Sequence, residues 1–404
     1  MHASPLLQEF NSGPASLIML WVIIWGIVGG VVTRYIYRRK DLDASLAILY
    51  GTVAGAGTGP ILLIYLWTKT PELKWPWIVI PSITTLGLLY WAFALYHPSN
   101  LCVTNGTYVV SQISNGILIG ILYGIIAIGL TLIFSILGIV SFAHGQFYML
   151  GGYAAFFTIN KTLGAGLNPL IGILVAGLVT FIIGVIFELT LLRPMHLGKV
   201  ERPGEYAILL TFGLAFFLEY SALATLGANP RKVDPFFNLG TITIGAISLP
   251  PSRVIAAGVG LIILAILLWF LNYTWLGRAL RAVSQDKEAA AVVGINPLTM
   301  NTLAFGLGAM LAGLSGAALV QVLAWVPNIA SLASARSFVV IVLGGMGSLP
   351  GAMVGGLIIG VVESLGVGCF PDVSRALAYQ QVFGMIIFAL VLLLKPTGLF
   401  GREL

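Results

Sequence analysis

Long apolar segments recur along almost the whole chain, and they restrict its fold more than any other feature does. Hydrophobic residues make up 58% of the 404 residues and charged residues only 8%, whereas a soluble domain carries roughly 25% charged residues. A helix needs about 20 mostly apolar residues to cross the hydrocarbon core. The chain has about 11–12 hydrophobic segments that are close to this length or at least half as long. The pattern excludes a soluble globular protein, a disordered chain and a nucleic-acid binder, and it predicts an all-α, polytopic transmembrane helical bundle.

The first third of the chain holds three of these segments, at 15–37, 44–67 and 77–96. The first is too long for a signal-peptide core and has no small-residue cleavage pattern, so we expect it to be retained. A polar, turn-rich stretch follows at 97–107. We therefore predict an N-terminal extension at 1–107 with three transmembrane helices, and a main membrane domain at 108–404.

One apolar run near the end of the chain, 338–346, is about half as long as a membrane span. A break follows it at once, with Gly347, Ser348, Leu349 and Pro350. Broken or re-entrant backbone is tolerated at membrane depth only where protein or a water-filled cavity surrounds it. The pattern predicts a broken or re-entrant segment near 338–350 that lines a substrate path, with these path residues: Gly344, Gly345, Gly347 and Ser348.

Many of the 49 glycines follow a small-xxx-small spacing. In lipid this spacing allows helix backbones to approach closely, so helix packing is the favoured interpretation and gating is the alternative. The sets with this spacing are Gly116, Gly120 and Gly124; Gly351 with Gly355; and Gly356 with Gly360.

Basic residues predict which loops face the cytoplasm. They follow the spans that end near 192, 273 and 394, and they are Arg193, Lys199 and Arg202; Arg278, Arg281 and Lys287; and Lys395 and Arg402. The main domain then begins outside and ends inside, provided that 109–140 is one long element. Three N-terminal helices would place the basic cluster at 34–40 outside, which conflicts with the same rule.

The inventory of reactive side chains predicts no enzyme, no metal site and no cofactor. The chain has no phosphate-binding GxxxxGK[ST] loop, no HExxH and no CxxC. Two cysteines, Cys102 and Cys369, are too few for a disulfide framework.

The longest charged segment of the second half is GRALRAVSQDKEAAAVVGIN, at 277–296. A good helix-forming run lies between Gly277 and Pro297, and Gly294 is placed as a C-terminal stop. We expect a short surface helix that offers charge to a soluble partner; the alternative is a solvated loop that merely obeys the positive-inside rule. The charged residues are Arg278, Arg281, Asp286, Lys287 and Glu288.

Four motifs then point to one family. Glu288, Ala289 and Ala290, followed by Gly294, resemble the EAA-xxx-G loop of ABC importer permeases. The stretches at 129–153 (GLTLIFSILGIVSFAHGQFYMLGGY), 338–364 (FVVIVLGGMGSLPGAMVGGLIIGVVES) and 392–401 (LLLKPTGLFG) resemble the branched-chain amino acid ABC transporter permeases of the LivH type. The resemblance covers about 109–404 and leaves 1–107 unexplained.

The resemblance implies the permease subunit of an ABC importer for branched-chain or related small amino acids, in the inner (plasma) membrane. Its implied partners are a second homologous permease, two cytoplasmic ATP-binding subunits and an extracytoplasmic substrate-binding protein. The resemblance identifies the main domain, 108–404, as an ABC importer permease domain. ATPase coupling would fall on these residues: Arg278, Arg281, Asp286, Lys287, Glu288, Ala289, Ala290 and Gly294.

Ionisable groups inside the spans are path candidates by default. We place His144, Gly145 and Glu219 on the substrate path; for His144 a hydrogen-bonded structural role is the alternative. Glu188 and Glu363 lie near span ends, where snorkelling or a helix-end interaction is the ordinary explanation.

Three rival functions remain open. A urea or short-chain amide importer would share the same signatures. An ion-coupled secondary transporter should contain internal repeats and paired intramembrane charges, and the sequence indicates neither. A structural membrane subunit stays possible because of the unexplained extension.

Overall fold

A computed structural model of the chain describes residues 25–31, 101–161, 163–237, 240–244, 247–370, 376–395 and 397–401. The three spans predicted at 15–37, 44–67 and 77–96 lie outside the described residues, apart from 25–31, which are helical. The three-helix extension therefore stays a prediction.

The chain divides into two compact units. One combines Met1–Gly106 with Cys369–Ala376, and the other combines Thr107–Gly368 with Leu377–Leu404. In the first unit lie helix α1, Leu101–Thr104, and a disulfide between Cys102 and Cys369. The two cysteines are too few for a framework, but they form one bridge, which the sequence analysis did not predict.

The second unit is a helical bundle, as predicted. Among the described residues, six helices are long and apolar enough to cross a membrane. Strands are limited there to one short antiparallel pair, β1 (Ile242–Ile244) and β2 (Ile247–Leu249).

Most of the helices follow one another with short connections. They are α2 (Gly106–Leu137), α3 (His144–Ile159), α4 (Pro169–Phe187, continued by a π-helical turn at Glu188–Leu192), α5 (Arg193–His196), α6 (Pro203–Leu226), α7 (Pro251–Tyr273), α8 (Trp275–Gln285), α9 (Lys287–Val292), α10 (Pro297–Leu319), α11 (Ile329–Gly344), α12 (Leu349–Gly368) and α13 (Gln380–Leu394).

Burial is uneven across these helices. The most apolar windows of α2 and α10 are each 78% buried, whereas those of α6 and α7 are 22% and 33% buried. α10 packs against both α3 and α4, and its interface side is rich in small residues, so the backbones approach closely. Of the six membrane-length helices in the described part of the chain, α2 and α10 therefore form the core, and α6 and α7 lie at its edge.

Two of the predicted glycine sets pack against each other, which confirms the helix-packing interpretation. A Cβ added at Gly116 of α2 would lie 2.6 Å from the Cα of Val361, and one at Gly120 would lie 2.9 Å from the carbonyl oxygen of Gly356. Tyr108 donates to the Gly368 carbonyl at 3.3 Å. The start of α2 therefore lies beside the end of α12, and the two helices are antiparallel.

The predicted break near 338–350 is the connection between α11 and α12. Gly345 and Gly347 both have positive φ, of 100° and 88°, which favours glycine. The apolar run before the break overlaps the second half of α11, which begins at Ile329 and has 16 residues, so the helix is longer than its apolar run but shorter than the candidate spans. The polar stretch that opens this helix concealed it, since the neighbours of Ser334, Arg336 and Ser337 satisfy those side chains.

Candidate functional site

The charged segment at 277–296 forms two helices, α8 and α9, where one short helix was expected. Asp286 separates them: its Oδ1 accepts the backbone N–H groups of Glu288 at 2.9 Å and Ala289 at 3.0 Å. A capping aspartate satisfies donors that a helix start otherwise leaves free. The Asp286 carboxylate is thus engaged within the chain as the N-cap of α9.

The segment ends at Gly294, as the sequence predicts. Gly294 has a φ of 89°, and its N–H bonds to the Ala291 carbonyl at 3.0 Å. The N–H of Ile295 bonds to the Ala290 carbonyl, also at 3.0 Å. This pair of hydrogen bonds is the Schellman motif, which turns the chain sharply after α9 and back toward α10.

The outer surface of this segment combines charge with exposed apolar side chains. Arg278, Arg281, Lys287, Glu288 and Ala289 are exposed, whereas Ala290 is buried. Two exposed apolar residues of the segment were not predicted: Val292 is 87% and Val293 is 75% exposed. In the sequence these two valines are an apolar pair directly before Gly294, the glycine that ends the helix, and this pair could have indicated them.

The inner surface attaches the segment to the bundle. Ala279, Leu280 and Val283 of α8 are buried. The ammonium of Lys287 lies 3.5 Å from the carbonyl oxygen of Leu137, the last residue of α2. A cation at a helix C-terminus interacts favourably with the free carbonyls there. The segment therefore contacts the end of one of the two core helices.

Beyond Leu137 the chain turns at Gly138, which has a φ of 76°, and leads into α3. His144, the first residue of α3, is fully buried, and its Nε2 lies 2.7 Å from the carbonyl oxygen of Ile126 in α2. The N–H of Gly145 donates to the Ser334 hydroxyl at 2.9 Å. This geometry favours the structural alternative for His144; a place for His144 and Gly145 on the path stays a prediction.

Glu219 lies where the entrance to α3 meets α6. Gln146 Nε2 donates to Glu219 Oε2 at 3.3 Å, and the Phe142 and Phe212 rings stack with centroids 4.2 Å apart. Glu219 is partly exposed and borders an exposed aromatic face of α6 that includes Phe216. This surface is named the Glu219 face and comprises Phe142, Gln146, Phe212, Phe216, Glu219 and Tyr220.

Two buried polar atoms beside this face lack a hydrogen-bond partner among the described residues. They are the Ser141 hydroxyl and the Gln146 Oε1, and both residues are only 3% exposed. Buried polar groups are nearly always satisfied by protein, water or ligand. Two polar atoms at the entrance to α3 can therefore form further hydrogen bonds, next to the partly exposed carboxylate of Glu219.

A second polar group, here named the Glu363 cluster, joins four helices. Arg336 Nε and Glu363 Oε1 form an ion pair at 3.2 Å, and Glu363 Oε2 accepts from Tyr123 at 3.2 Å and from Gln380 at 2.8 Å. The Arg336 guanidinium lies over the Tyr123 ring, 5.2 Å from its centroid. The cluster comprises Tyr123 of α2, Arg336 of α11, Glu363 of α12 and Gln380 of α13.

This cluster corrects two expectations. Glu363 does not snorkel, because it is 3% exposed and has three donors. Paired intramembrane charges, which the sequence analysis did not find, are present as Arg336–Glu363. Arg336 was not predicted as a partner, because it precedes the apolar run at 338–346.

Glu188 does not snorkel either. It is fully buried in the π-helical turn after α4, and the Thr302 hydroxyl of α10 donates to it. The Thr302 hydroxyl holds the Glu188 carboxylate inside the bundle, so the position of Glu188 near a span end does not make it exposed.

The other predicted path residues lie at the α11–α12 connection. Gly344 packs against Gly351, and the N–H of Phe400 bonds to the Gly344 carbonyl at 2.9 Å. Gly345 packs against Gly401. The C-terminal segment therefore contacts Gly344 and Gly345, whereas Met346 and Gly347 are exposed. A path role for Gly344, Gly345, Gly347 and Ser348 stays a prediction.

Comparison with known proteins gives a consistent result. The family described as "Branched-chain amino acid transport system / permease component" matches residues 112–394. LivH of Salmonella typhimurium is 32% identical over 73% of this chain and 96% of its own length, and BraD of Pseudomonas aeruginosa is 31% identical over the same shares. Both are named high-affinity branched-chain amino acid transport system permease proteins.

A more distant relative carries a related name. The permease protein LivM of Escherichia coli K12 is 25% identical over 74% of this chain and 70% of its own length. No solved structure matches the chain. Among the described residues, six helices are long and apolar enough to cross a membrane, and together with these matches they indicate a multi-pass inner membrane protein. The chain belongs to the branched-chain amino acid transport system permease family.

Proposed function

We propose that the chain is the membrane-spanning subunit of an ABC importer that translocates branched-chain or related small amino acids, with ATPase subunits docked on α8 and α9. The names of its relatives support the substrate class. Two different permeases of one organism, LivH and LivM of Escherichia coli K12, are both similar to it, which supports a second homologous permease as partner. An extracytoplasmic binding protein would deliver the substrate.

The α8–α9 segment carries this proposal. Val292 is 87% and Val293 is 75% exposed, and both lie outside the candidate spans. Exposed apolar side chains rimmed by charged ones are typical of a protein interface. Arg278, Arg281 and Glu288 supply that rim and could form charge-assisted hydrogen bonds with a partner. The two valines would fill a cleft of the ATPase.

Contacts within the chain offer a route from this surface into the bundle. Lys287 at the start of α9 contacts Leu137, the last residue of α2. Gly138 follows Leu137 and begins the turn into α3. Closure of the ATPases would displace α8 and α9 as a unit, and α2 and the entrance to α3 would follow. Alternating access through such rigid elements needs only differential contacts in the two states.

The Glu219 face is our candidate for the substrate path. A carboxylate at membrane depth is costly when it faces lipid, so a partly exposed one should face a water-filled path or a partner helix. Phe212, Phe216 and Tyr220 would offer weak apolar contacts to a branched side chain. Weak contacts suit a permease, because the binding protein selects the substrate and the path must release it.

One observation bears on the ion-coupled alternative. Arg336 and Glu363 are paired, as such a transporter would require, but Glu363 already accepts hydrogen bonds from three residues. A coupling carboxylate must exchange its partners during transport, and a saturated one resists that exchange. The cluster therefore gives the secondary transporter little support.

The test uses the complex of both permeases and the ATPases in proteoliposomes. Val292→Ser with Val293→Ser should abolish the stimulation of ATP hydrolysis by substrate-loaded binding protein, and Glu288→Ala should weaken it. Arg202→Gln is the matched control, because it removes an exposed ion pair with Glu205 in another basic loop. Full coupling in the valine variant, or equal loss in the control, would refute the docking surface.

A further inference from the structure

The chain contains two cysteines in all, and they meet although 267 residues separate them. The Cα atoms of Cys102 and Cys369 are 5.4 Å apart, within the range of roughly 4.4–6.8 Å that a disulfide requires. Cys369 directly follows the last residue of α12, and Cys102 lies in α1, just before α2. Both therefore lie at chain positions next to the paired ends of the antiparallel helices.

The opposite ends of these helices point to the cytoplasm. Leu137, at the far end of α2, contacts Lys287, and the C-terminal segment that follows Lys395 contacts the end of α11, directly before the connection to α12. The loops with Lys287 and Lys395 are cytoplasmic by the positive-inside rule. Since α2 and α12 each cross the membrane, the residues that flank their other ends face the extracytoplasmic side, where disulfides form and persist.

We propose that Cys102 and Cys369 are an oxidative modification site on the extracytoplasmic face, and that their disulfide covalently anchors the N-terminal extension to the α12–α13 connection. The family match spans 112–394, so Cys369 lies inside it and Cys102 outside it. The bridge thus connects the family's segment to the part of the chain that the family does not include.

An extracytoplasmic thiol oxidase that carries a reactive disulfide would supply the oxidising equivalents. One cysteine thiolate attacks that disulfide and forms a mixed disulfide with the enzyme. The second thiolate then attacks the mixed disulfide, and the Cys102–Cys369 bond forms. The two cysteines lose two electrons and two protons, and the oxidase is left as a dithiol.

The first experiment counts free thiols in the full chain, after acid quenching of cells and denaturation with a polyethylene glycol maleimide. We expect no mass shift before reduction and two additions after it, whereas Cys102→Ser and Cys369→Ser should each show one addition without reduction. Two additions to the unreduced wild-type chain would overturn the proposal. A dimer on a non-reducing gel would also overturn it, because the bridge would then join two chains.

A second experiment tests the connectivity and the side of the membrane. A protease site inserted between Gly198 and Lys199, in an exposed turn, should yield two fragments that separate only under reducing conditions. In intact cells made permeable only at the outer envelope, an impermeant reductant followed by an impermeant maleimide should label both cysteines. Labelling that requires opening the inner membrane would overturn the assigned side. Neither assay involves transport, so its failure would leave the proposed import function untouched.

Discussion

Two carboxylates within the membrane-spanning helices, Glu363 and Glu219, have opposite surroundings. Glu363 is buried, paired with Arg336 of α11 and hydrogen-bonded to Tyr123 of α2 and Gln380 of α13. Glu219 is partly exposed, and within the described part of the chain it accepts one hydrogen bond, from Gln146 at 3.3 Å. A saturated buried ion pair fixes helices in one arrangement, whereas an undersaturated carboxylate at an edge can accept a passing cation or ammonium group. We therefore assign architecture to the Glu363 cluster and transport to the Glu219 face.

The packing around the two regions supports the same distinction. Tyr123 of the Glu363 cluster belongs to α2, whose glycines pack tightly against α12. Glu219 belongs to α6, which has the least buried membrane window in the described part of the chain. A helix that packs loosely in a single chain has surface left for a second permease or for a path between the two.

The largest effect should come from removing one partner of the buried ion pair. Arg336→Met leaves Glu363 buried without its cation, which costs roughly 3–5 kcal/mol. The variant should unfold at a much lower temperature and co-purify poorly with its partners. Arg336→Met combined with Glu363→Leu should recover most of the loss, because replacing both charges with apolar groups is often neutral. Thermal unfolding in detergent measures this, and a double variant no better than the single one would contradict a structural role.

A smaller, selective effect is expected at the other carboxylate. Glu219→Gln keeps the size and the contact with Gln146 but removes the charge, so uptake should fall by roughly tenfold, corresponding to about 1.4 kcal/mol. The unfolding temperature should stay the same. Glu205→Gln is the control, since it neutralises an exposed carboxylate in the first turn of α6 that is not part of the Glu219 face. An unchanged rate for Glu219→Gln would remove the Glu219 face from the path.

The smallest effect should follow removal of the extension. A chain that begins at Thr107 and carries Cys369→Ser keeps both carboxylate regions and the whole segment matched by the family. We expect it to insert, to assemble and to transport at a rate within about twofold of the full chain, as is usual when changes leave the functional groups intact. Stable insertion without uptake would show that the extension has a transport role.

Sequence patterns were sufficient where a local rule decides the structure. The spacing of Gly116 and Gly120 predicted close helix packing, and Gly294 predicted the end of α9. The family motifs predicted the permease assignment. These signals are short-range, so they can be recognised without knowing which elements meet.

Pairings between residues far apart in the chain could not be predicted from the sequence. Arg336 lies in a polar stretch that does not resemble a span until Glu363 and Gln380 are seen to satisfy it. Cys102 and Cys369 are too distant in the chain for their spacing to indicate a bridge. Asp286 carries the charge expected of a docking residue, but its geometry makes it a helix cap. In each case the partner is set by tertiary contacts.

ATP-driven leucine uptake by the reconstituted complex tests the central claim most directly, with wild type, Glu219→Gln and the Arg336→Met/Glu363→Leu double variant measured side by side. The account predicts uptake by the wild type that requires ATP, substantial uptake by the double variant and strongly reduced uptake by Glu219→Gln. Uptake that survives Glu219→Gln but is lost in a stably assembled double variant would contradict the division of roles. A wild-type complex that assembles with its ATPases and binding protein but transports no branched-chain amino acid would contradict the proposed function itself.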